Sequence, residues 1–259
     1  MKQTLTYWLI AMALAASASA SIQNLTAAGH DCRIDLLWQP MTDPGLDGYN
    51  IYRSRYVGGN YTKLNPSPHT VSVYSDFLGE NVRGYAYYVK PVISGSEGTA
   101  SPIVTAVPYA MNDDQLLTSI QQALFRYAWD FAHPVSGMTR ERFASWDRET
   151  VTTGGSGFAL MNLLVAVERA FITRTDAAEH ILKIITFLQE STPRFHGAWS
   201  HWIHGTTGDP IPFDYDKQGN PIICGDIVET AYMIQGLLAA RQYFDAQDPL
   251  ENQIRSRAA

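Results

Sequence analysis

The sequence predicts a multidomain β + α protein, with a β-sandwich over residues 22–108 and an all-helical domain over residues 112–259. Up to Val107, apolar residues recur with the period of two that is typical of half-buried strands, and turn clusters separate the strands at intervals of roughly 8–12 residues. Beyond residue 112 the period becomes 3.6, which is typical of amphipathic helices. Residues 108–111 are therefore predicted to be the domain boundary.

Composition describes a globular protein without a nucleic-acid partner. The 259 residues are 46% hydrophobic and carry a net charge of −6 with no basic cluster, which argues against nucleic acid. The 14 tyrosines and six tryptophans suit sugar stacking and equally suit a sandwich core. Cys32 and Cys224 fall in different predicted domains, so we expect two free thiols. No cofactor is expected, and the sequence does not indicate an oligomeric state.

Residues 1–20 have the pattern of a secretory signal peptide. Lys2 gives a positive start, residues 9–16 form an apolar stretch, and Ala18-Ser19-Ala20 supplies a cleavage site before Ser21. The apolar stretch is shorter than the roughly 20 residues that a membrane span requires. We therefore expect cleavage at this site and a secreted or periplasmic protein without a membrane span.

Five stretches of the first domain are predicted to be strands. They lie at residues 34–38, 49–53, 72–76, 85–92 and 103–107. Trp38, the Gly48-Tyr49-x-Ile51-Tyr52-Arg53 segment and the Tyr85-x-Tyr87-x-Val89 segment resemble those of a fibronectin type III domain. The resemblance implies that Tyr85 is the tyrosine-corner residue and that the domain is a spacer or docking module without catalytic residues.

Four long helices are predicted in the second domain. They cover residues 112–133, residues 158–171, the segment from 173 past 188, and residues 226–244. Asn112 with Gln115 and Thr173 with Asp176 have the spacing of helix-start pairs. His133 precedes a proline, which disfavours helix and ends the first one.

The last of these helices carries two carboxylates in its first turn. Its body is apolar on almost every face, which predicts burial. Asp226 and Glu229 lie three residues apart and therefore share a face. They could form an acidic version of the capping box, or they could supply an acid or a base beside a sugar. The helix alone favours capping, because capping boxes are commoner than active sites.

Two loops invite ligand-binding interpretations. Residues 152–157 are rich in glycine and could cradle a phosphate, but the Gly-Lys-Ser/Thr of a phosphate loop is missing and close packing is the better explanation. Residues 193–225 are predicted to be a long aromatic loop. Its His196, His201 and His204 lack the spacing of known zinc sites, so we expect hydrogen-bonding groups in a sugar pocket or packed loop residues, and no metal.

Five blocks of the second domain form a recognisable set. The blocks are Phe125-Arg126-Tyr127-x-Trp129-Asp130-Phe131-Ala132-His133-Pro134, Thr152-Thr153-Gly154-Gly155-Ser156-Gly157-Phe158, Val167-Glu168-Arg169-x-Phe171-Ile172-Thr173, Arg194-Phe195-His196-Gly197-Ala198-Trp199-x-His201-Trp202 and Gly225-Asp226-Ile227-Val228-Glu229-Thr230. In this order they resemble the bacterial glucoamylase-like family, which includes the endo-β-1,2-glucanases of glycoside hydrolase family 144. The resemblance implies an (α/α)6 toroid that hydrolyses β-1,2-glucan with inversion.

The resemblance also implies site residues. Asp226 and Glu229 map onto acidic residues of the family's cleft and become the catalytic candidates, which now outweighs capping. The residues expected to orient and stack glucose units are Asp130, His133, Trp199, His201 and Trp202. An inverting pair stands about 6.5–9.5 Å apart, whereas neighbours at i and i+3 have Cβ atoms about 5–6 Å apart. We therefore expect either Asp226 or Glu229 to act on the base side of the reaction, and a later loop to supply the acid.

Two features depart from the family pattern. Cys224 replaces the first glycine of a Gly-Gly-Asp sequence, which could crowd the cleft. A toroid of six helical hairpins also needs more than four long helices, so we expect an N-terminal fragment with exposed apolar helix faces and little or no activity.

Two other functions stay open at this point. One is a non-catalytic carbohydrate-binding or adhesion protein that uses the β-sandwich. The other is a different glycosidase or phosphorylase on the same toroid, because the residues alone do not specify the linkage.

Overall fold

The computed structural model describes residues 21–144 and 147–258. A β-sandwich precedes a helical domain, so the mixed β and α composition predicted from periodicity is confirmed. The predicted signal peptide lies outside the described residues. No helix in the described part of the chain combines the length and the apolarity that crossing a membrane requires.

The sandwich consists of two antiparallel sheets. Its strands are β1 (Thr26–His30), β2 (Arg33–Leu37), β3 (Leu46–Ser54), β4 (Thr62–Lys63), β5 (Val73–Phe77), β6 (Tyr85–Ile93), β7 (Ser96–Glu97) and β8 (Val104–Ala106). One sheet has the order β1-β2-β5, and the other has the order β4-β3-β6-β7 with β8 also on β6. All five predicted strands are present, whereas β1, β4 and β7 were not predicted.

Alternating side chains of the two sheets form the sandwich core. Ile34, Ile51 and Val89 are fully buried between them, and Trp38 meets Tyr49 edge to face at 5.1 Å between ring centroids. Burial of these apolar and aromatic groups is the main stabilising term for the domain.

The predicted tyrosine-corner residue occupies the first position of β6. Its hydroxyl donates to the carboxylate of Glu80 at 3.2 Å. A tyrosine corner bonds to backbone upstream of the strand, so Tyr85 uses a side chain in place of that backbone contact.

The helices of the second domain differ from the prediction at their ends. They are α1 (Asp113–Trp129), α2 (Thr153–Glu168), α3 (Arg174–Glu190), α4 (Ile227–Tyr243) and α5 (Pro249–Arg257). The caps at Asn112 and Thr173 are confirmed. α1 ends before His133, whose N–H donates to Met138 O at 2.9 Å in the following turn. α5, which Asp248 caps, was not predicted.

The glycine-rich segment forms the first turns of α2, and its prediction as a loop was wrong. A Cβ on Gly157 would lie 2.2 Å from the carbonyl oxygen of Tyr232, and one on Gly236 would lie 2.2 Å from the carbonyl oxygen of Gly157. Only glycine permits the backbones of α2 and α4 to meet this closely. The expected role of these glycines in close packing is confirmed.

An apolar face of the helical domain is open to solvent, so the expected burial of α4 on all sides was wrong. Met233 and Leu237 are buried, but Ile227 is 79% exposed and Leu238 is 48% exposed. A groove of about 620 Å³ with an apolar wall separates α1 from α2. Other exposed apolar side chains include Leu116, Leu117, Ile120, Leu124, Phe158, Val165, Val228, Tyr232 and Ile234. The expectation of exposed apolar helix faces is confirmed.

Polar contacts join the two domains. The guanidinium of Arg126 on α1 donates to the carboxylate of Asp35 on β2 at 3.0 Å. The guanidinium of Arg33 donates to the hydroxyl of Ser119 at 2.9 Å. The carboxylate of Asp31 accepts from the backbone N–H of Met111 at 3.0 Å. Because Asp35 is only 8% exposed, its ion pairs are well shielded from solvent.

Candidate functional site

A small sheet brings the predicted site segments together. Its strands are β9 (Thr150–Thr152), β10 (Trp202–His204) and β11 (Pro210–Ile211), with β10 in the centre. β9 leads directly into α2, and β10 lies within the long aromatic segment. Residues 193–225 therefore contain regular structure and not a simple loop, and a second hairpin, β12 (Asp214–Tyr215) with β13 (Pro221–Ile222), extends from them.

Asp226 caps α4 and also binds a histidine. Its Oδ1 accepts the backbone N–H groups of Val228 and Glu229 at 2.9 and 3.0 Å, and its Oδ2 lies 2.9 Å from Nδ1 of His201. Partial burial alone would raise the pKa of Asp226. Hydrogen bonds from Glu229, His201 and Val228 outweigh that effect and leave the pKa below its ordinary value. Asp226 is therefore ionised at neutral pH.

Glu229 does not complete the expected capping box. The N–H of Asp226 donates to Trp199 O, and the Glu229 side chain reaches the neighbouring helix α2. Its Oε2 accepts the backbone N–H of Gly154 at 2.7 Å and the hydroxyl of Thr152 at 3.1 Å. Thr152 itself makes no side-chain cap bond to α2. Glu229 thus caps α2 from α4, where its negative charge meets the positive end of the helix dipole.

Three rings form an aromatic cluster beside Asp226. The Phe213 ring lies 4.2 Å from the His201 ring and 5.0 Å from the Trp202 ring, between centroids. Phe213 is 56% exposed, so part of its surface faces solvent. The Arg142 guanidinium stands over the Trp202 ring at 5.4 Å and pairs with Asp147 at 3.1 Å. This cluster places aromatic surface and an ionised carboxylate side by side, a combination found in small-molecule sites.

His133 lies inside the protein and supports a second carboxylate. The ring is 2% exposed, and its Nε2 lies 3.3 Å from Glu149 Oε2. Burial lowers the pKa of His133 despite the neighbouring Glu149. The hydroxyl of Thr206 donates to Glu149 at 2.8 Å and lowers the pKa of that carboxyl, which partial burial opposes only in part. His133 therefore orients Glu149 and cannot itself touch a sugar in this conformation.

Two further predicted binding residues do not lie at the aromatic cluster. Trp199 is 5% exposed within the helical core, and the Arg194 guanidinium covers its ring at 5.5 Å. Asp130 ends α1 and pairs with Arg126, which also holds Asp35 of the sandwich. Burial raises the pKa of Asp130, although the Arg126 contacts oppose this. Trp199 therefore packs in the helical core, and Asp130 takes part in the contact between the domains through Arg126.

The three loop histidines separate from one another. His201 contacts Asp226, whereas Nδ1 of His204 lies 3.5 Å from Glu149. His196 adopts a positive φ of 51° in an exposed turn. In residues 21–144 and 147–258, no group of three or more His, Cys, Asp or Glu side chains is arranged to hold a metal ion.

Sequence reasoning missed Phe213 and Glu149 as site residues. No local motif distinguishes Phe213 from other exposed aromatic residues, because its role depends on the fold of the second hairpin. Glu149 precedes β9 directly, and the alternation of Thr150–Thr152 could have marked a strand leading into the glycine-rich helix start.

Three half-buried tyrosines of the sandwich, Tyr52, Tyr61 and Tyr88, pack on one another. Tyr52 and Tyr88 stack face to face at 4.8 Å, and Tyr61 packs on Tyr88 at 4.7 Å. Lys90 stands over the Tyr52 ring at 5.5 Å. Because the rings cover one another, this surface offers less open aromatic area than the Phe213 cluster does.

Comparison with known proteins identifies homologous enzymes. The exo β-1,2-glucooligosaccharide sophorohydrolase (non-reducing end) of Parabacteroides distasonis is 40% identical over 231 residues, covering 88% of this chain and 31% of the relative. A crystal structure of β-1,2-glucanase from Parabacteroides distasonis superposes with a TM-score of 0.76 at 38% identity, covering 93% of this chain and 34% of that chain. No protein-family model matches the chain.

A second solved structure matches the helical region. The endo-β-1,2-glucanase from Chitinophaga pinensis, in complex with sophorotriose and glucose, gives a TM-score of 0.51 at 42% identity, covering 57% of this chain and 36% of that chain. The resemblance to β-1,2-glucanases is therefore confirmed, and the homologues are glycoside hydrolases. The chain spans about a third of the length of these relatives.

Proposed function

We propose that this chain carries part of the substrate site of a secreted or periplasmic glycoside hydrolase that cleaves β-1,2-glucan with inversion, within an (α/α)6 toroid. The observation that carries the proposal is the contact of Asp226 with His201 beside Trp202 and Phe213. The similarity to β-1,2-glucanases supports the linkage. The close pair of α2 with α4 supports the toroid, and the sequence of residues 1–20 supports export.

Asp226 is proposed as the general base. Its lowered pKa keeps it ionised, as a base must be at neutral pH. Oδ1 already accepts two backbone hydrogen bonds, but Oδ2 keeps one lone pair beyond its contact with His201, so Oδ2 can accept a proton from water. The water oxygen then attacks the anomeric carbon while the glycosidic bond breaks, and an acid protonates the leaving oxygen.

Glu229 is assigned a positioning role. Its Oε2 already accepts two hydrogen bonds from the start of α2, and it fixes α4 against that helix. Glu149 is not suited to donate a proton, because its pKa is lowered and the carboxyl is ionised at neutral pH. We assign the base only, and we expect this chain to bind β-1,2-glucooligosaccharides with little or no hydrolysis.

Trp202 and Phe213 are proposed to stack on glucosyl rings. Aromatic faces bind the apolar C–H faces of sugars, and the Arg142–Asp147 pair supplies polar groups beside them. His201 holds the carboxylate of Asp226 in place by donating from Nδ1.

Isothermal titration of the chain with β-1,2-glucooligosaccharides tests the proposal. We expect binding, a loss of at least about tenfold in affinity in Trp202→Ala, and weaker binding of β-1,3- and β-1,4-linked oligosaccharides of equal length. Tyr56→Ala is a matched control, because Tyr56 is an exposed aromatic residue of the sandwich. Equal affinity for all three linkages would contradict the β-1,2 assignment, and absence of binding would contradict the site.

A catalytic assay separates the base from the scaffold. In any form of the enzyme that hydrolyses β-1,2-glucan, Asp226→Asn keeps the cap acceptor for α4 but cannot take a proton, so we expect kcat to fall by at least about a hundredfold. The expected product has the inverted anomeric configuration. Retained configuration, or an active Asp226→Asn enzyme, would refute this assignment.

A further inference from the structure

The β-sandwich touches the loop that carries part of the proposed site. Phe143, in the loop between α1 and β9, meets the ring of His69 from the sandwich edge to face at 5.5 Å. Phe131, which follows α1, also packs on Phe143, with 4.6 Å between the two ring centroids. Phe143 is therefore held between the two domains.

The sandwich holds His69 firmly in this position. The His69 Nε2 lies 2.6 Å from the carbonyl oxygen of Val73, and the ring packs edge to face on Tyr74 at 5.3 Å. Backbone hydrogen bonds in both directions also join His69 to Tyr49 of β3, at 2.8 and 2.9 Å. Because the His69 ring is held by partners in its own domain, it can limit the movement of the Phe143 ring that packs on it.

The contact is a bridge between two open spaces. Cavities of about 240 and 180 Å³ flank it, and both His69 and Phe143 line each of them. Phe143 is also 39% exposed, so part of its ring faces solvent. Loss of either ring would leave this part of the loop with room to move.

Phe143 follows directly in sequence on a residue of the proposed site. Arg142 stands over the Trp202 ring and pairs with Asp147, whose Oδ1 accepts the backbone N–H of Thr150 at 3.0 Å. Thr150 begins β9, which pairs with β10. A shift of Phe143 therefore moves the guanidinium on Trp202 and the start of the strand that borders the site.

We propose that the sandwich is a positioning element of the glucan site, with His69 holding the Arg142–Asp147 pair and the start of β9 in their binding geometry through Phe143. This inference rests on the proposed function for its ligand, and it replaces the expected role of the sandwich as a spacer. The two domains also share the Arg126–Asp35, Arg33–Ser119 and Asp31–Met111 contacts, so removing one ring contact does not detach them.

The test compares His69→Ala with His69→Phe in the full chain. Both lose the hydrogen bond to Val73, but only His69→Phe keeps a ring against Phe143. Phe143→Ala removes the same contact from the loop side, and Val82→Ala is a control at an exposed sandwich position. The readouts are amide hydrogen exchange of Glu141 and Thr150, affinity for a β-1,2-glucooligosaccharide, and thermal stability.

We expect His69→Ala and Phe143→Ala to speed exchange at Thr150 and to weaken oligosaccharide binding by about three- to tenfold. His69→Phe should restore both properties, although it shares the stability loss of His69→Ala. If the variants lose affinity in proportion to their loss of thermal stability, and His69→Phe does not restore the affinity, the proposal is overturned. Unchanged exchange in His69→Ala would also overturn it.

The two proposals fail in different ways. If the unsubstituted chain binds no β-1,2-glucooligosaccharide, the proposed function fails, and the inference fails with it because no ligand site is left to position. If the unsubstituted chain binds and the ring variants bind equally well, the positioning role alone is overturned.

Discussion

Removal of the Glu229 carboxylate tests whether it caps a neighbouring helix. In Glu229→Ala, the buried N–H of Gly154 loses its acceptor at 2.7 Å, which costs about 1–3 kcal/mol. The loss of negative charge at the start of α2 adds about 0.3–1 kcal/mol. We therefore expect the free energy of unfolding of the helical domain to fall by about 1.5–4 kcal/mol.

Glu229→Gln separates these two contributions. The amide oxygen can still accept from Gly154, so only the charge is lost and the expected cost is about 0.3–1 kcal/mol. Urea unfolding followed by far-ultraviolet circular dichroism measures both variants, because the helices dominate that signal. A loss below about 0.5 kcal/mol in Glu229→Ala, or equal losses in both variants, would refute the capping role.

Three other outcomes follow from the structure. Gly157→Ala should lower the free energy of unfolding by about 3 kcal/mol, the upper end of the usual cost of overpacking. Ala239→Gly on α4 should lower it by about 1 kcal/mol. Equal losses in the two variants would contradict the close contact between α2 and α4. Because folding lowers the pKa of Asp226, this carboxylate stabilises the fold fully above its ordinary pKa of 3.8, and the stabilisation is lost as the pH falls through the lowered value. The fall in Tm on acidification should therefore be smaller in Asp226→Asn than in the unsubstituted chain. An identical fall in both would contradict this contribution of Asp226. The double variant Leu124→Lys/Leu238→Lys should bind less of a dye that reports exposed apolar surface and should self-associate less, as measured by light scattering. The reason is that both leucine side chains lie on exposed apolar helix surface. Unchanged light scattering would show that another surface drives association.

The sequence predicted element types well where the local chemistry was complete. Asn112 with Gln115 and Thr173 with Asp176 satisfy backbone groups within one helix turn, so the residues alone were sufficient. The helix considered alone also favoured the Asp226 cap, which the structure contains, although the family resemblance then put a catalytic role ahead of it.

The errors lie where a distant segment supplies the missing partner. The acceptor for the Gly154 N–H is Glu229, which lies 75 residues later in the chain, so the glycine-rich start of α2 was predicted to be a loop. Trp199 was predicted to stack on sugars because the segment around it resembles the glucoamylase-like family. In the fold it is buried in the helical core, while Trp202 of the same segment joins the cluster with Phe213.

The fate of the two carboxylates could not be decided from spacing alone. Positions i and i+3 place both side chains on one helix face, but they do not specify which neighbours each one meets. The structure directs Asp226 to His201 and Glu229 to α2, because the pairing of β9 with β10 brings both partners to the start of α4. Both residues therefore cap a helix, Asp226 its own helix α4 and Glu229 the neighbouring α2.

A crystal structure of the chain with a β-1,2-linked glucotriose bound would locate the substrate site. We expect a glucosyl ring against Trp202 or Phe213, with a sugar hydroxyl or an ordered water within hydrogen-bond distance of the Asp226 carboxylate. A trisaccharide bound at the sandwich tyrosines, or one bound away from Asp226, would contradict the proposed site.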